Sequence, residues 1–367
     1  MPGSLPLASV TAMAEKLCPV KHTASSLLLA LSLLLPLTPA RAADRPLTHI
    51  AFGSCLNKPE HPLLDRTLTV PMDLFIFMGD NVYADTTNMT VMRAKYDALK
   101  NSRFFQGLKK KAPILATWDD HDYGMNDGGG NFPFKQGAQQ EFHNWLDEPA
   151  DSPRRQQEGV YDARIYGPAG KRVQVILLDT RYFRSPLARG DHGIEPSGGP
   201  YIPTKDTSTT MLGETQWRWL EAQLQQPAEV RLIVSSIQFV PELAGCEAWA
   251  NLPHEKVRML ELLKRTKANG VLFLSGDRHW CEFSRMDGLA GYPLYELTAS
   301  AMTQVHPRGT PTPNKYRLIP KTFHQANVGL LTIDWARLDT QLHLQILDVE
   351  GKTQLEHKIR LGELQGK

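Results

Sequence analysis

The stretch Leu74-Phe75-Ile76-Phe77-Met78-Gly79-Asp80 decides how the rest of the sequence is interpreted. Residues 74–78 are apolar at every position, which is typical of a strand buried on both faces of a layered α/β protein. Gly79 lets the chain turn sharply, and Asp80 follows where the strand ends, with Tyr83 three residues further on. Because ligands of α/β proteins bind beyond the carboxyl ends of strands, the stretch predicts a buried strand and a ligand position at Asp80.

Three further apolar strands end in the same way. The run 49–54 leads to Cys55, the run 114–118 leads to Asp119-Asp120-His121-Asp122, and the run 271–276 leads to Asp277-Arg278-His279. A Gly-Asp pair after one strand is usually a turn. Four adjacent titratable groups at 119–122, however, repel one another unless a cation compensates them. Taken together, the four strand ends predict a common region that binds cations.

The types of ligand indicate more than one metal. Carboxylates are hard oxygen donors and histidine is a borderline donor, whereas the Cys55 thiolate and the Tyr83 phenolate favour a softer or high-valent transition metal. We therefore predict Fe(III) at the thiolate and phenolate. Two neighbouring metals suit displacement at phosphorus, because one activates the attacking water and both neutralise the phosphoryl oxygens.

Overall composition excludes some classes of protein. The 367 residues include 41 Lys and Arg against 39 Asp and Glu, a net charge of +2. A protein that binds nucleic acid through phosphate neutralisation carries a marked basic excess, so we expect no nucleic-acid-binding surface. Seven Trp, ten Tyr and thirteen Phe exclude an acidic, disordered chain.

Residues 1–42 have the pattern of a secretory signal peptide. Lys16 and Lys21 precede an apolar run at 27–35, and the small-residue triplet Ala40-Arg41-Ala42 follows. We expect cleavage there, with an uncleaved anchor or a buried helix as the alternative. The remainder, 43–367, is then one secreted or periplasmic domain without a transmembrane anchor. It has 38 basic and 38 acidic residues.

Apolar runs alternate with helical patterns along the remaining chain, which predicts helices outside and sheets within. The predicted strands are His49–Gly53, Leu74–Met78, Ile114–Thr117, Val173–Leu178, Val230–Ile237, Val271–Ser275, Leu294–Leu297, Val328–Ile333 and Leu342–Leu347. The predicted helices are Met89–Lys100, Gln136–Leu146, Glu214–Gln225 and His254–Ala268. Between them, 184–212 is rich in Gly, Pro, Ser and Thr and is expected to be a long loop, either a lid or a surface excursion.

The strand-end motifs resemble those of the PhoD-like alkaline phosphatases, a branch of the calcineurin-like metallophosphoesterases related to purple acid phosphatases. The matching stretches are 53–55, 79–85, 118–122, 179–184, 211–217 and 276–279. The resemblance implies a four-layer αββα sandwich with two mixed β-sheets and metals at one sheet edge. Some relatives carry an additional N-terminal β-domain, which we do not expect between the cleavage site and the first strand.

The resemblance also implies roles for individual residues at the iron site. Asp80 is expected to bridge the metals, while Cys55, Tyr83 and His279 complete a site for Fe(III). If Cys55 is a metal thiolate, the other two cysteines of the mature chain, Cys246 and Cys281, are candidates for a disulfide.

Two substitutions relative to the family pattern define the second metal site. Asp120 stands where the motif usually has Asn, and Asp277 where it usually has His, so the site is all-oxygen and favours Ca²⁺. His121 is expected to protonate the leaving group or to stabilise the phosphoryl oxygen, and Asp80 is part of the same catalytic centre. Gln238 stands where two-metal relatives often place another histidine ligand.

These features predict an exported, metal-dependent phosphoester hydrolase of the alkaline phosphatase D type, acting on mono- or diesters through a metal-bound hydroxide. One alternative is a phospholipase D-like or wall-polymer phosphodiesterase whose groove is formed by the loop 184–212. A second is a catalytically degenerate, exported metal-binding protein. The expected partner is a phosphoester in a small molecule, a lipid or a wall polymer.

Overall fold

The apolar run at Leu74–Met78 forms a strand within the first of two six-stranded sheets. The computed structural model describes residues 45–190, 199–243, 245–288, 290–306 and 311–366. The strands are β1 (His49–Gly53), β2 (Leu74–Met78), β3 (Ile114–Thr117), β4 (Asp162–Tyr166), β5 (Val173–Leu177), β6 (Val230–Ser235), β7 (Val271–Ser275), β8 (Cys281–Met286), β9 (Leu294–Ala299), β10 (Val328–Asp334), β11 (Gln341–Leu347) and β12 (Thr353–Arg360). The α-helices are α1 (Pro62–Thr67), α2 (Met89–Lys100), α3 (Arg103–Lys111), α4 (Asp120–Tyr123), α5 (Lys135–Trp145), α6 (Gly213–Leu224) and α7 (Pro253–Thr266).

Both sheets are mixed, with parallel strands next to antiparallel ones. The first has the order β12-β11-β10-β1-β2-β3, in which β1, β2 and β3 are parallel. The second has the order β4-β5-β6-β7-β9-β8, in which β5, β6, β7 and β9 are parallel. A parallel bridge between Ser54 and Ser300 joins the ends of β1 and β9. The carboxyl ends of parallel strands from both sheets therefore meet.

Helices cover the outer faces of the two sheets. Phe52 and Ile76 of the first sheet pack with residues of β5, β6 and β7 in the core between the sheets. On the opposite face of β2, Phe77 contacts Phe104 of α3 and Trp145 of α5. Helices α6 and α7 contribute Trp217 and Met259, among others, to the core that includes the second sheet. The predicted αββα sandwich with two mixed sheets is confirmed.

The prediction missed the strands β4, β8 and β12 and the short helices α1, α3 and α4. In β12, which lies at the edge of its sheet, Leu355 and Ile359 are buried, while the three polar residues between them are partly or fully exposed. In β8 the carboxylate of Glu282 is fully buried but pairs with Arg317. Glu282 can be buried because Arg317, which is distant in sequence, neutralises its charge. A local sequence pattern cannot predict such a partner.

Two sequence predictions concern segments only partly covered by the structure. The expected signal peptide at 1–42 lies outside the described residues. Within the described residues, no helix combines the length and apolar character needed to cross a bilayer. The described parts of the loop 184–212 contain no helix or strand, and Arg189 forms an isolated bridge with Tyr201.

Candidate metal centre

Four residues at the strand ends share a rare backbone conformation. The φ angles of Cys55, Asp80, Asp277 and His279 are 59°, 53°, 66° and 60°. Residues with side chains adopt this left-handed region at a cost of roughly 1–3 kcal/mol each, and such residues cluster at functional sites. The sequence predicts all four as metal ligands. This conformation is expected where the position of a side chain is needed for function despite the higher energy of the backbone.

The turn before Asp80 requires glycine. Gly79 has a φ of 102°, and a Cβ atom there would lie 2.7 Å from the Cβ of Asp119. The turn is fixed to the end of β1, since the amide of Cys55 donates to the carbonyl of Gly79 at 3.3 Å and the amide of Leu56 donates to that of Asp80 at 2.8 Å. These contacts hold Cys55 and Asp80 side by side.

The structure brings together the four residues predicted for the iron site. The Tyr83 hydroxyl lies 3.0 Å from Asp80 Oδ2 and 3.0 Å from His279 Nε2. Cys55 Sγ lies 3.6 Å from the same Asp80 oxygen. Ligand atoms of Cys55, Asp80 and His279 all lie within 4.8 Å of one another. A thiol, a phenol, an imidazole and a carboxylate converging in this way suit a transition-metal cation.

The carboxylates predicted for the second site lie next to this group. Ligand atoms of Asp80, Asp120 and His121 lie within 4.8 Å of one another, and so do those of Asp119, Asp120 and Asp277. Asp80 Oδ1 and Asp120 Oδ1 are buried and accept no hydrogen bond from any described residue. Because a buried carboxylate oxygen without a donor is costly, these atoms fit a bound cation.

The electrostatics of the carboxylates support that fit. Burial raises the pKa of Asp80 well above its usual range, and the neighbouring Cys55 and Asp120 raise it further. Burial also raises the pKa of Asp277 to about 6. The protein alone therefore supplies too little positive charge for these two groups, and a cation or a proton has to make up the difference.

Other carboxylates of the cluster are neutralised by arginine. Arg181 is fully buried and pairs with Asp119 and, at 2.5 Å, with Glu247. Arg184 pairs with the second oxygen of Glu247 at 2.7 Å. The Ser236 hydroxyl also donates to Asp119 Oδ1 at 2.6 Å. Asp119 therefore lies against the site but is held by Arg181 and Ser236.

His121 is fixed from two sides at the edge of the site. Its Nδ1 lies 2.7 Å from Asp85 Oδ1, and its ring stacks on that of Tyr83 with 4.2 Å between the centroids. Burial lowers the pKa of His121, but Asp85 and Asp120 outweigh burial and raise it to about 9. An imidazole oriented by a carboxylate through one nitrogen leaves the other nitrogen for proton transfer.

These groups open into a cleft of about 290 Å³. Its walls include the predicted Asp120, His121, Asp277 and His279. The described part of the long loop contributes to the cleft through Tyr201, whose hydroxyl donates to Asp127 at 2.6 Å. Residues 199–201 of this loop thus form part of the wall.

A comparison with known families agrees with this geometry. The family model described as PhoD-like phosphatase matches residues 51–330. The chain belongs to the PhoD-like phosphatase family. The matched range includes every strand end of the candidate site, from Cys55 to His279.

Two known proteins illustrate the similarity. Alkaline phosphatase D of Bacillus subtilis (strain 168) is 23% identical in an alignment of 284 residues that covers 66% of this chain and 47% of that protein. The chain thus spans about half the length of this curated relative. A solved structure described as "Structure of PhoD" superposes with a TM-score of 0.66 at 17% identity, covering 88% of this chain and 70% of that one. This last similarity shows a shared fold.

Some positions of the PhoD-like motifs serve the framework instead. Asp122 accepts hydrogen bonds from the amides of Asn81 and Asp119 and so ties two site turns together. Gln238, which stands where relatives often place a ligand, donates from Nε2 to Glu282 at 2.7 Å and to Thr298 at 2.9 Å. Its amide is therefore engaged with strands β8 and β9.

The disulfide suggested for Cys246 and Cys281 is not formed. Cys281 is buried in β8, with Sγ 3.6 Å from the carbonyl oxygen of Ser300. Cys246 lies at the cleft against the guanidinium of Arg278. The two thiols thus face different surroundings, and the prediction was wrong because spacing in sequence does not report the geometry that a disulfide requires.

Sequence reasoning missed several residues around the site. Arg181 and Arg184 lie in a stretch that resembles the family, but the sequence assigned them no role. Asp127 and Glu247 were missed altogether, although their ligand atoms lie within 4.8 Å of one another and of Asp120. Neither of the two acidic residues follows a strand directly, so the strand-end pattern could not find them.

Proposed function

We propose that the chain is an exported phosphoester hydrolase that depends on bound metal ions. Two adjoining groups of side chains carry this proposal. Cys55, Tyr83 and His279 converge on Asp80. Asp120 and Asp277 lie beside them, and the buried Oδ1 atoms of Asp80 and Asp120 lack hydrogen-bond donors among the described residues. In this assignment the first group would hold Fe(III) and the second would hold Ca²⁺, with Asp80 a member of both groups. Bound there, the cations would activate the attacking water and neutralise phosphoryl oxygens.

The protein's own residues would orient the substrate and move the proton. Water attacks phosphorus, the bond between phosphorus and the ester oxygen breaks, and the departing alkoxide needs a proton. His121 lies at the cleft with Nδ1 held by Asp85, so we assign its Nε2 as the donor of that proton. Water then restores the proton to His121. The products are an alcohol and a phosphate, or a phosphomonoester when a diester is cleaved.

Export is proposed from the sequence of residues 1–42. Lysines, an apolar run and a small-residue triplet follow one another there in the order of a signal peptide. N-terminal sequencing of protein recovered from the periplasm or medium tests this part: a mature chain that begins near Ala43 is expected, and retention of the intact leader in the cytoplasm contradicts it.

Hydrolysis of p-nitrophenyl phosphate and bis-p-nitrophenyl phosphate tests the enzymatic proposal. The protein is assayed as purified, after chelation, and after reloading with iron and calcium. Activity lost on chelation and restored by the metals is expected. If the reloaded protein turns over neither ester, the hydrolase proposal is wrong, and metal content by elemental analysis then shows whether the site binds metal without catalysis.

A further inference from the structure

Three arginines lie buried at the candidate site, and they differ in how their charge is used. Arg181 is paired with Asp119 and Glu247, and Arg184 with Glu247. Arg278 is 8% exposed and lies between two predicted ligands, Asp277 and His279. It is also the only lysine or arginine among the described residues that line the cleft.

The guanidinium of Arg278 has donors left over. Another part of the guanidinium contacts Cys246, but its Nε is buried and has no acceptor among the described residues. Its Nη1 lies 3.7 Å from Asp277 Oδ2, which is beyond hydrogen-bond distance. A guanidinium has five N–H donors in a planar fork that matches the oxygens of a phosphate. A buried arginine whose Nε–H lacks an acceptor at the wall of a cleft indicates an anionic ligand.

The neighbouring Trp280 keeps this guanidinium in place. The Arg278 guanidinium lies 4.5 Å from the centre of the Trp280 ring, in the range of a cation–π contact. Trp280 is itself 4% exposed and lines the cleft, and its indole N–H is buried without an acceptor among the described residues. The stacking reduces the freedom of the Arg278 side chain before any ligand arrives, so less entropy is lost when the anion binds.

We infer that Arg278 binds the third unesterified oxygen of a phosphomonoester and thereby makes the site favour monoesters over diesters. This inference rests on the function proposed above. A phosphomonoester has three unesterified oxygens and, at alkaline pH, two negative charges, whereas a diester has two such oxygens and one charge. The guanidinium on the cleft wall can donate a hydrogen bond to the additional oxygen of the monoester and can neutralise its additional negative charge. Inorganic phosphate, with the same oxygens, is a ligand for the same position.

The ratio of kcat/KM for p-nitrophenyl phosphate to kcat/KM for bis-p-nitrophenyl phosphate tests the inference. Both esters release the same alcohol from the same sites, so a change in metal occupancy cancels from the ratio. Loss of a hydrogen bond to a charged group lowers binding roughly 10- to 100-fold, and we expect Arg278→Met to lower the ratio by about that factor. Arg278→Lys keeps the charge but loses the fork, so its ratio should fall in between; this variant decides the matter if Arg278→Met does not fold.

Arg258→Met is the matched control. Arg258 also stacks on a tryptophan, 4.7 Å from the ring centre of Trp217, and pairs with Glu214, but it is not among the residues that line the cleft. Its ratio should stay at the wild-type value.

Calorimetric titration of the metal-loaded protein with inorganic phosphate gives a second readout that needs no turnover. Arg278→Met should weaken phosphate binding about 10-fold or more, and Arg258→Met should leave it unchanged. An unchanged ester ratio together with unchanged phosphate affinity in Arg278→Met overturns the inference, even if both esters are hydrolysed. Failure of the wild-type protein to hydrolyse either ester overturns the proposed function instead. The phosphate titration then still tests whether Arg278 binds the anion.

Discussion

Replacement of Asp85 by asparagine tests whether His121 works as the proton donor. Asp85→Asn preserves the shape of the side chain and removes its negative charge. In the structure Asp85 Oδ1 lies 2.7 Å from His121 Nδ1, so the variant weakens the group that orients the imidazole. We expect kcat to fall while KM stays the same, because the proton is needed when the ester bond breaks and not when the substrate binds.

The size of the effect follows from the exposure of the pair. A hydrogen bond between charged groups contributes about 1.5–3 kcal/mol when it is shielded from water. The Asp85 side chain is 40% exposed and that of His121 is 18% exposed, so solvent screening places this pair at the lower end. About 1.5 kcal/mol corresponds to a roughly 10-fold decrease in kcat.

Steady-state hydrolysis of an alkyl phosphate such as glycerol 2-phosphate, followed by the release of inorganic phosphate and with metal content measured for each preparation, is the assay, because an alkoxide leaving group needs the proton and p-nitrophenolate leaves without one. Asp334→Asn is the control, since Asp334 at the end of β10 pairs with the exposed Arg337 and should leave kcat unchanged. A wild-type kcat in Asp85→Asn would refute the role of Asp85. A decrease in kcat that merely follows a loss of bound metal would refute it as well, because Asp85 would then act on the metals and not through His121.

Three further predictions concern the metal site and the stability of the protein. The iron-loaded protein should show a visible charge-transfer band that Tyr83→Phe or Cys55→Ser shifts or abolishes in its absorption spectrum; a colourless, iron-free and fully active protein would contradict the iron assignment. Asp80→Asn should raise the Tm of the metal-free protein by roughly 2–4 °C in calorimetry while abolishing activity, because burial raises the pKa of Asp80 and its charge is uncompensated without metal; an equal or lower Tm would count against this. Burial and, less strongly, Arg154 lower the pKa of His143 to about 4. Below pH 6.5 the unfolded chain binds a proton at this histidine, whereas the folded chain binds it only near pH 4. The folded protein therefore loses stability as the pH falls from 6.5 to 4. The free energy of unfolding, measured by urea titration at each pH, should therefore decrease by about 2 kcal/mol more between pH 7 and pH 5 in the wild type than in His143→Phe. An equal decrease in the two proteins would disprove the assignment.

The sequence was sufficient for the parts of the site that depend on local chain geometry. A strand followed by Gly79 and Asp80 places a carboxylate at a sheet edge whatever surrounds it. Strands that are apolar on both faces predict sheets covered by helices, whereas the αββα order of the layers was implied by the resemblance to the family. The hydrogen-bond and ion-pair partners of the carboxylates at the site could not be predicted from the sequence. Arg181 meets Glu247 across 66 residues, and no periodicity links the two positions. The pairing of His121 with Asp85 was equally hidden, although Asp85 lies within a stretch that the sequence singled out.

The carboxylates of the site differ in how closely an arginine approaches them. Arg181 is permanently charged and fixed by burial, so it can neutralise Asp119 and Glu247 without regard to pH or metal supply. An arginine in the same position relative to Asp80 would occupy the space in which a cation and a phosphate have to meet. Asp80 pairs with no arginine among the described residues, and Arg278 approaches Asp277 only to 3.7 Å. Both carboxyl groups keep raised pKa values in a left-handed backbone, an arrangement that is unfavourable for the protein alone. In the proposed assignment, bound cations would offset that cost, so metal loading would stabilise the folded site.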